Sequence, residues 1–282
     1  MKTHTEDGML KTLTITDNAQ FIREDISVFC ETLVVYFTPN REIEKAVATG
    51  DVRIITQDVT STGEQGTFYA ADQKLELEGK ARAVQGNNTI TAHLLVAFLE
   101  TMMIEGYSDS GSERVVMTVY SQQTPSSEDT PEQPDQPAES ELSPIVVESD
   151  DLKYDNAVRK AIFTGKVVAT QDPMKINADT MYVYLTAGED TEVNDIEKIE
   201  VSGNVRIVQE NVTIKGVNGI YLNAEDVAVI EGNTEQQAQA EDGTQTLFAD
   251  RITLLLTTND MEAEGNVIVK MLPSGVRGQN KP

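Results

Sequence analysis

Few side chains in this sequence could perform chemistry. The 282 residues include two histidines, His4 and His93, one cysteine, Cys30, and no tryptophan. A single cysteine excludes an intramolecular disulfide and a cysteine-based zinc site, and a Ser-His-Asp triad would have to use His93. The sequence contains no EF-hand loop and no Asp-rich Gly repeat for calcium. We therefore expect a protein that is not an enzyme and carries no metal or cofactor, with a glycosidase-type carboxylate pair left open as the alternative.

His93 and Cys30 fit structural roles better than catalytic ones. His93 takes the place of the aspartate in a recurring Ile-x-Ala-Asp motif, and a lone histidine in a strand is expected to be structural or exposed. Cys30 aligns with Ala178 of the second half of the chain, which predicts a small, buried core residue.

The charge of the chain restricts its partners. A formal net charge of −25 excludes electrostatic binding of nucleic acid, because that binding needs Lys and Arg to displace phosphate counterions. The same charge disfavours docking on anionic membrane surfaces. No window approaches the roughly 18 apolar residues of a spanning helix, and the segment Met1–Gly8 lacks the apolar core of a signal peptide. If the natural protein is exported, we expect this sequence to be a trimmed form.

An acidic, proline-rich stretch divides the chain into two halves. Residues 122–144 contain five of the nine prolines, six acidic residues and no basic residue. Such a segment cannot bury enough apolar surface to offset its ordering entropy. We therefore expect a disordered linker at 122–144 and tails at 1–8 and 273–282, with two folded domains over residues 9–121 and 145–272.

Both predicted domains have the pattern of β-structure. Short runs of alternating polarity, such as Lys175–Asp179 and Asn266–Val269, are bounded by Gly, Asn and Asp. This pattern is typical of antiparallel strands joined by turns. No stretch of a dozen residues shows a clean helical period, so the sequence predicts an all-β protein.

The second half of the chain repeats the first, which is the strongest signal in the sequence. The segment Gly50–Ile55 (GDVRII) matches Gly203–Val208 (GNVRIV). We expect the repeated glycines to form bends, where a Cβ would clash or φ is positive. These predicted turn glycines are Gly50, Gly79, Gly106, Gly203, Gly232 and Gly265.

Three segments of the second half carry a family resemblance through their order and spacing. They are Pro144–Asp150 (PIVVESD), Phe163–Gln171 (FTGKVVATQ) and Lys175–Asp179 (KINAD). Together they resemble the opening of the LptA/OstA-like family of periplasmic lipopolysaccharide transport proteins. The resemblance extends to Met271, and weaker versions of the motifs cover Leu10–Ser121. It implies two tandem, open, V-shaped β-jellyroll domains of short antiparallel strands, each with an apolar groove between two sheets.

The resemblance also implies a function. The groove would hold the lipid A acyl chains of lipopolysaccharide in the periplasm, on the way from the inner to the outer membrane. Edge-strand pairing would join the chain to other transport-bridge proteins or into a head-to-tail homo-oligomer, with no nucleic-acid partner. The alternation alone fits an ordinary closed sandwich, so the alternative is a structural or docking β-repeat protein, LptC-like or a scaffold, without its own ligand.

The residues predicted to line the groove belong to the second domain. Ile145 and Val147 match the lipid-facing pair that the resemblance implies for the opening strand, and the others follow from strand alternation, in which a one-residue error reverses the face. The first half lacks a clear counterpart of PIVVESD before Leu13, so its ability to bind lipid stays open. The predicted lipid-binding residues are Ile145, Val147, Val167, Ala169, Ile176, Ala178, Val205, Ile207, Ile214, Tyr221, Ile252, Leu254, Val267 and Val269.

Overall fold

The chain folds into β-strands, as its sequence predicts. The computed structural model describes residues 1–6, 9–23, 26–109, 113–120, 144–186, 196–258 and 260–271. Across these residues the only helical element is one short 3-10 turn, Asn223–Glu225, and no helix is long and apolar enough to cross a membrane. The prediction of an all-β fold is confirmed.

The strands are numbered in chain order. Those of the first half are β1 (Lys2–Glu6), β2 (Met9–Arg23), β3 (Ile26–Phe37), β4 (Ile43–Ile55), β5 (Val59–Tyr69), β6 (Lys74–Gln85), β7 (Asn88–Phe98), β8 (Met103–Tyr107) and β9 (Val115–Val119). Those of the second half are β10 (Ile145–Ser149), β11 (Asp151–Asp155), β12 (Lys160–Gln171), β13 (Met174–Leu185), β14 (Ile196–Gln209), β15 (Val212–Leu222), β16 (Val227–Glu231), β17 (Ala238–Glu241), β18 (Gln245–Ala249), β19 (Arg251–Leu255), β20 (Asp260–Glu264) and β21 (Ile268–Met271).

The long strands are each shared between two antiparallel sheets. In β12, Lys160–Thr164 pairs with β11, whereas the part after Val167 pairs with β10. The pairing with β13 shifts register between these two parts, and β2–β7 and β12–β15 all shift in the same way near their middles. We call this line of register shifts the hinge, because each strand passes there from one sheet to the other.

The hinge separates sheet I from sheet II. Sheet I contains β1, β8, β11, β16, β19, β20, the N-terminal parts of β2, β4, β6, β12 and β14, and the C-terminal parts of β3, β5, β7, β13 and β15. Sheet II contains β9, β10, β17, β18, β21 and the remaining parts of the same long strands. Strands β2–β7 and β12–β15 have 11–15 residues and bend once at the hinge, so they are longer than expected, whereas the other described strands have 4 or 5 residues, as short as expected.

Both sheets continue from the first half of the chain into the second. In sheet I, β8 pairs with β11, and in sheet II, β9 pairs with β10. The two halves are thus joined by backbone hydrogen bonds in both sheets. The predicted linker at residues 122–144, apart from Pro144, and the predicted tail at 273–282 lie outside the described residues.

The prediction of a disordered tail over residues 1–8 is wrong for Lys2–Glu6. This segment forms β1 and pairs with β2, where Thr3 lies opposite Leu13. All five of its side chains are exposed, so the segment shows no apolar alternation that would identify it as a strand. Backbone pairing at a polar sheet edge forms it instead.

The repeated sequence motifs meet at the hinge. Gly203 and Asn204 both have positive φ, +75° and +49°, and a Cβ on Gly203 would overlap the carboxyl group of Asp179 on the neighbouring strand. Asn204 Nδ2 donates a hydrogen bond of 2.8 Å to Asp179 Oδ2. The same glycine–carboxylate arrangement recurs at Gly50 and Glu31, Gly79 and Glu64, Gly165 and Asp150, and Gly265 and Asp250.

Two of the six predicted turn glycines have other roles. Gly106 lies inside β8, between Leu95 and Leu152 of the neighbouring strands, and its φ is not positive. The prediction of a bend at Gly106 is therefore wrong. Gly232 does lie at the hinge, between β16 and β17, where its N–H donates to the carbonyl of Asp250 at 3.0 Å, but its φ is not positive either.

The hinge controls which residues face inward. In β12, which contains Gly165, the buried residues Phe163 and Val167 keep one alternation through the hinge. In β13 the alternation changes between the buried residues Ala178 and Met181. It changes because β13 has one residue fewer than β12 at the bulge. Inward alternation is therefore continuous in strands with a hinge glycine and reverses in their neighbours.

The hinge predicts a large effect of a small substitution. Gly203→Ala should lower the free energy of unfolding by about 2–3 kcal/mol, since it adds left-handed strain and displaces Asp179. Gly243 is the control, because it also has positive φ (+84°) but nothing lies within 4 Å of its would-be Cβ. Gly243→Ala should cost about 1 kcal/mol. Equal losses in urea unfolding would contradict a packing role for the hinge glycines.

Candidate functional site

An uninterrupted row of inward side chains crosses sheet II from edge to edge. Its members are direct cross-strand partners, whose side chains lie on one face and touch their neighbours. None is charged, and only Ser61 is polar. In order across the sheet they are Phe21, Val28, Ile54, Ser61, Ala83, Ile90, Met117, Val147, Ala169, Ile176, Ile207, Ile214, Ala240, Leu247 and Val269.

Sheet I carries two such rows, which face sheet II. The row nearer the hinge is Ile15, Leu33, Ala48, Gly66, Leu77, Leu95, Gly106, Leu152, Phe163, Met181, Val201, Gly219, Ile230, Ile252 and Ala263. The row farther from the hinge is Leu13, Val35, Ala46, Phe68, Leu75, Ala97, Ile104, Tyr154, Ala161, Val183, Ile199, Tyr221, Ala228, Leu254 and Met261. We call the space between these three rows the groove.

Small side chains line the hinge end of the groove on sheet II. Ala19 lies opposite Cys30, Ala81 opposite Ala92, and Val205 opposite Gly216. Small residues at these positions allow the two sheets to approach each other closely at the hinge. Cys30 is buried in this set, as its alignment with Ala178 predicts, and burial raises the pKa of its thiol.

Most of the residues predicted to line the groove face the interior. Eleven are buried in the shared core, and Tyr221 is partly buried against it. Val267 and Val269 are instead 49% and 51% exposed. Val269 lies opposite Leu247 and faces inward, but β21 is the outermost strand of sheet II in the described chain, so no further strand covers it. The buried residues are Ile145, Val147, Val167, Ala169, Ile176, Ala178, Val205, Ile207, Ile214, Ile252 and Leu254.

The groove residues of the first half were missed by the sequence prediction. The signal was available, because Ile54 occupies the same place in GDVRII that Ile207 occupies in GNVRIV. Both lie in the sheet II row and are 5% exposed. Matching the predicted residues of the second half to their counterparts in the repeat would have predicted the first-half members of this row.

The inner face is more accessible in the first half than in the second. In the sheet II row, the second-half residues Val147, Ala169 and Ile176 are 3–5% exposed, whereas Ile90 and Met117 of the first half are only partly buried. The outer row of sheet I shows the same difference. Its partly buried members in the first half are Leu13, Ala46, Phe68, Leu75, Ala97 and Ile104.

The groove of the second half is nearly closed. A small apolar cavity of about 10 Å³ remains between the sheets, bounded by Ile176 and Ile207 on one side and Ile199 and Ala228 on the other. This volume corresponds to about one water molecule. A long ligand could therefore enter the second half only if its sheets separated, whereas several inward residues of the first half are already partly exposed.

Tyr221 is a predicted groove residue with a polar atom. Its hydroxyl donates a hydrogen bond of 3.2 Å to Asp226 Oδ1. Burial, together with the negative charge of Asp226, raises the pKa of Tyr221 to about 12. The phenol therefore stays neutral, and its ring contributes to the apolar surface while its hydroxyl is satisfied at the end of β15.

Charged side chains lie on the outer faces of the sheets. On sheet I, Lys198 Nζ is 4.3 Å from the Tyr184 ring centroid and 2.8 Å from Glu200 Oε1. Its hydrogen bond with Glu200 raises the pKa of Lys198. A concavity of about 370 Å³ lies on this same outer face, over Ile220 and Val229, and is therefore separate from the groove.

His93 and Cys30, the side chains with the most potential for chemistry, both lie near the hinge. His93 lies at the hinge, with Nε2 3.8 Å from Glu78 and Nδ1 3.9 Å from Glu113. In the described parts of the chain, no group of three or more His, Cys, Asp or Glu side chains could hold a metal ion. The arrangement that spans the described chain is the apolar groove, whose inner rows carry no charged residue.

Comparison with known proteins agrees with the sequence resemblance. An uncharacterized protein of Rhizobium meliloti (strain 1021) is 26% identical over 136 residues, which is 46% of this chain and 72% of that protein. The crystal structure of LptH from Pseudomonas aeruginosa, an LptA homologue, matches 46% of this chain and 96% of its own, with 17% identity and a TM-score of 0.41. Residues 4–102 and 146–278 match the model of the LptA/(LptD N-terminal domain) LPS transport protein family. The chain therefore belongs to this family of lipopolysaccharide transport proteins.

Proposed function

We propose that the protein is a non-catalytic periplasmic carrier that binds the acyl chains of lipopolysaccharide in its groove. The observation that carries the proposal is the set of three inward rows, which pass through both halves without a charged residue. Transfer of each buried methylene from water to such a surface contributes about 0.8 kcal/mol. A short buried stretch of acyl chain is therefore enough for useful affinity.

The same rows suit movement of the ligand along the protein. Apolar contacts are non-directional and scale with the buried area, and adjacent strands lie about 4.8 Å apart. An acyl chain that shifts by one strand spacing exchanges one set of aliphatic neighbours for an equivalent set. The groove then supports passage from the inner towards the outer membrane, with no residue that acts as a fixed anchor.

The first half contributes its own stretch of groove in this proposal. Its rows join those of the second half at the pairs Met117–Val147 and Gly106–Leu152. Its inner face is also the more accessible one, which favours ligand entry there over a docking role alone. The second half would accept the chain as its sheets separate.

Partners of the transport bridge would pair with the outermost strands. At the C-terminal end, β21 carries the exposed apolar residues Ile268, Val269 and Met271. An edge strand with unpaired backbone groups is a template for another strand. Other bridge proteins, or a second copy in a head-to-tail homo-oligomer, would extend sheet II at β21 and sheet I at β20.

Photo-crosslinking tests the ligand and its place. A photoreactive residue at Ile54 or Ile207 should crosslink to lipopolysaccharide, because both face the groove. Arg53 and Arg206 are matched controls, since they neighbour these residues in the chain but are exposed. Crosslinking at Ile207 alone would assign the first half a docking role, and equal yields at all four positions would contradict the groove.

Because inward side chains are more exposed in the first half than in the second, replacement of an inward isoleucine by alanine should destabilise the two halves unequally. Ile176→Ala should lower the free energy of unfolding by about 3 kcal/mol, because it leaves a cavity in the closed half. Ile90→Ala should cost about 1–2 kcal/mol, because its side chain already contacts solvent. Urea unfolding without lipid measures both, and equal losses would show that the groove is equally closed in the two halves.

A further inference from the structure

The two halves meet where β8 pairs with β11 and β9 pairs with β10, and we call this contact the joint. Arg114 of the first half extends its charged side chain across the joint to the second half. Arg114 directly precedes β9, the last strand of the first half in sheet II. Its guanidinium reaches the hinge of β12, the strand that follows β10 and β11 in the second half. At this hinge, Gly165 and Lys166 have φ of +83° and +48°.

The guanidinium of Arg114 makes several polar contacts across the joint. Nη2 donates to the carbonyl oxygens of Gly165 at 3.0 Å and Lys166 at 2.8 Å. Nη1 lies 3.7 Å from Glu148 Oε2, and Nε lies 3.6 Å from Asp150 Oδ1. The side chain is 30% exposed and Nε is buried. One side chain of the first half thus contacts two carbonyls and two carboxylates of the second.

Asn266 occupies the equivalent place at the C-terminal edge of the second half. In the sheet II row, Met117 of β9 lies opposite Ile90, and Val269 of β21 lies opposite Leu247. Arg114 lies three residues before Met117, and Asn266 lies three residues before Val269.

The side chain of Asn266 serves its own half of the chain. Its Nδ2 donates to Asp250 Oδ2 at 2.8 Å, and the backbone carbonyl of Asn266 accepts a hydrogen bond of 3.0 Å from Gln237 Nε2. The two positions match in their distance from the sheet II row but differ in backbone, since Asn266 has φ of +45° and follows Gly265, and Arg114 is the one of the two that carries a positive charge.

We propose that Arg114 determines the specificity of the internal joint, so that the first half docks on the second half in preference to another strand edge. The planar guanidinium can bind carbonyls and carboxylates at once, which a lysine ammonium cannot reproduce. Backbone pairing of β9 with β10 is not selective by itself, because any exposed strand edge offers the same groups. Arg114 adds recognition of the hinge of the second half, with its carboxylates Glu148 and Asp150.

Cleavage of the connecting segment tests this role. A protease site placed within residues 122–144 allows the full-length folded chain to be cut, so that only the joint holds the halves together. In analytical ultracentrifugation without lipid, the cut wild-type chain should stay associated. Arg114→Asn, which copies the residue at the outer edge, should weaken association at least ten-fold, and Arg114→Lys should restore only part of it.

The control is Arg206→Asn, which removes an exposed arginine from the same sheet away from the joint. We expect it to associate like the wild type. Hydrogen exchange on the uncut chain should become faster in Arg114→Asn at β8–β11 only. Wild-type association of cut Arg114→Asn, equal weakening by Arg206→Asn, or faster exchange throughout the chain would each overturn the proposal. None of these readouts involves lipid, so they are independent of the proposed carrier function.

Discussion

The contact between a hinge glycine and a neighbouring carboxylate is the constraint on which the rest of the structure depends. Strands of 12–15 residues would form one broad twisted sheet if they remained straight. Left-handed pairs in β2, β4, β6, β12 and β14 mark these bends, and in all but β2 the first residue of the pair is a glycine that leaves space for an acidic side chain from the adjacent strand. Apolar rows that would otherwise cover a single face are thereby turned towards each other, and a groove results.

Continuity of the groove follows from register. A slip of one residue would bring polar side chains into the interior, and the hinge bulges fix the register of each long strand. At the joint between the halves, β8–β11 and β9–β10 maintain the same register, so the rows do not change there. Two copies of one domain thus form a single longer groove, with the charged residues on its outer faces.

The sequence predicted the features that arise from local pattern. Strand type and the repeat follow from alternation and glycine spacing, and Ile176, Ile207 and Ile214 lie in the sheet II row, where their contact with lipid stays a prediction. Met181 and Val183 were missed because the alternation of β13 reverses at its hinge, which a residue count cannot reveal. β1 is stabilised by backbone pairing and has no apolar pattern. The unequal accessibility of the two halves depends on packing between the sheets, which no local pattern encodes.

The central claim is that one hydrocarbon-binding groove passes through both halves. Methyl NMR with a fatty acid that carries a nitroxide on its chain tests it most directly, because the nitroxide broadens nearby methyl signals. The account predicts broadening of the inward methyls of Ile54, Met117, Val147 and Ile207, with little effect on Val168 on the outer face. Broadening confined to one half, or equally strong at Val168, would contradict a continuous groove.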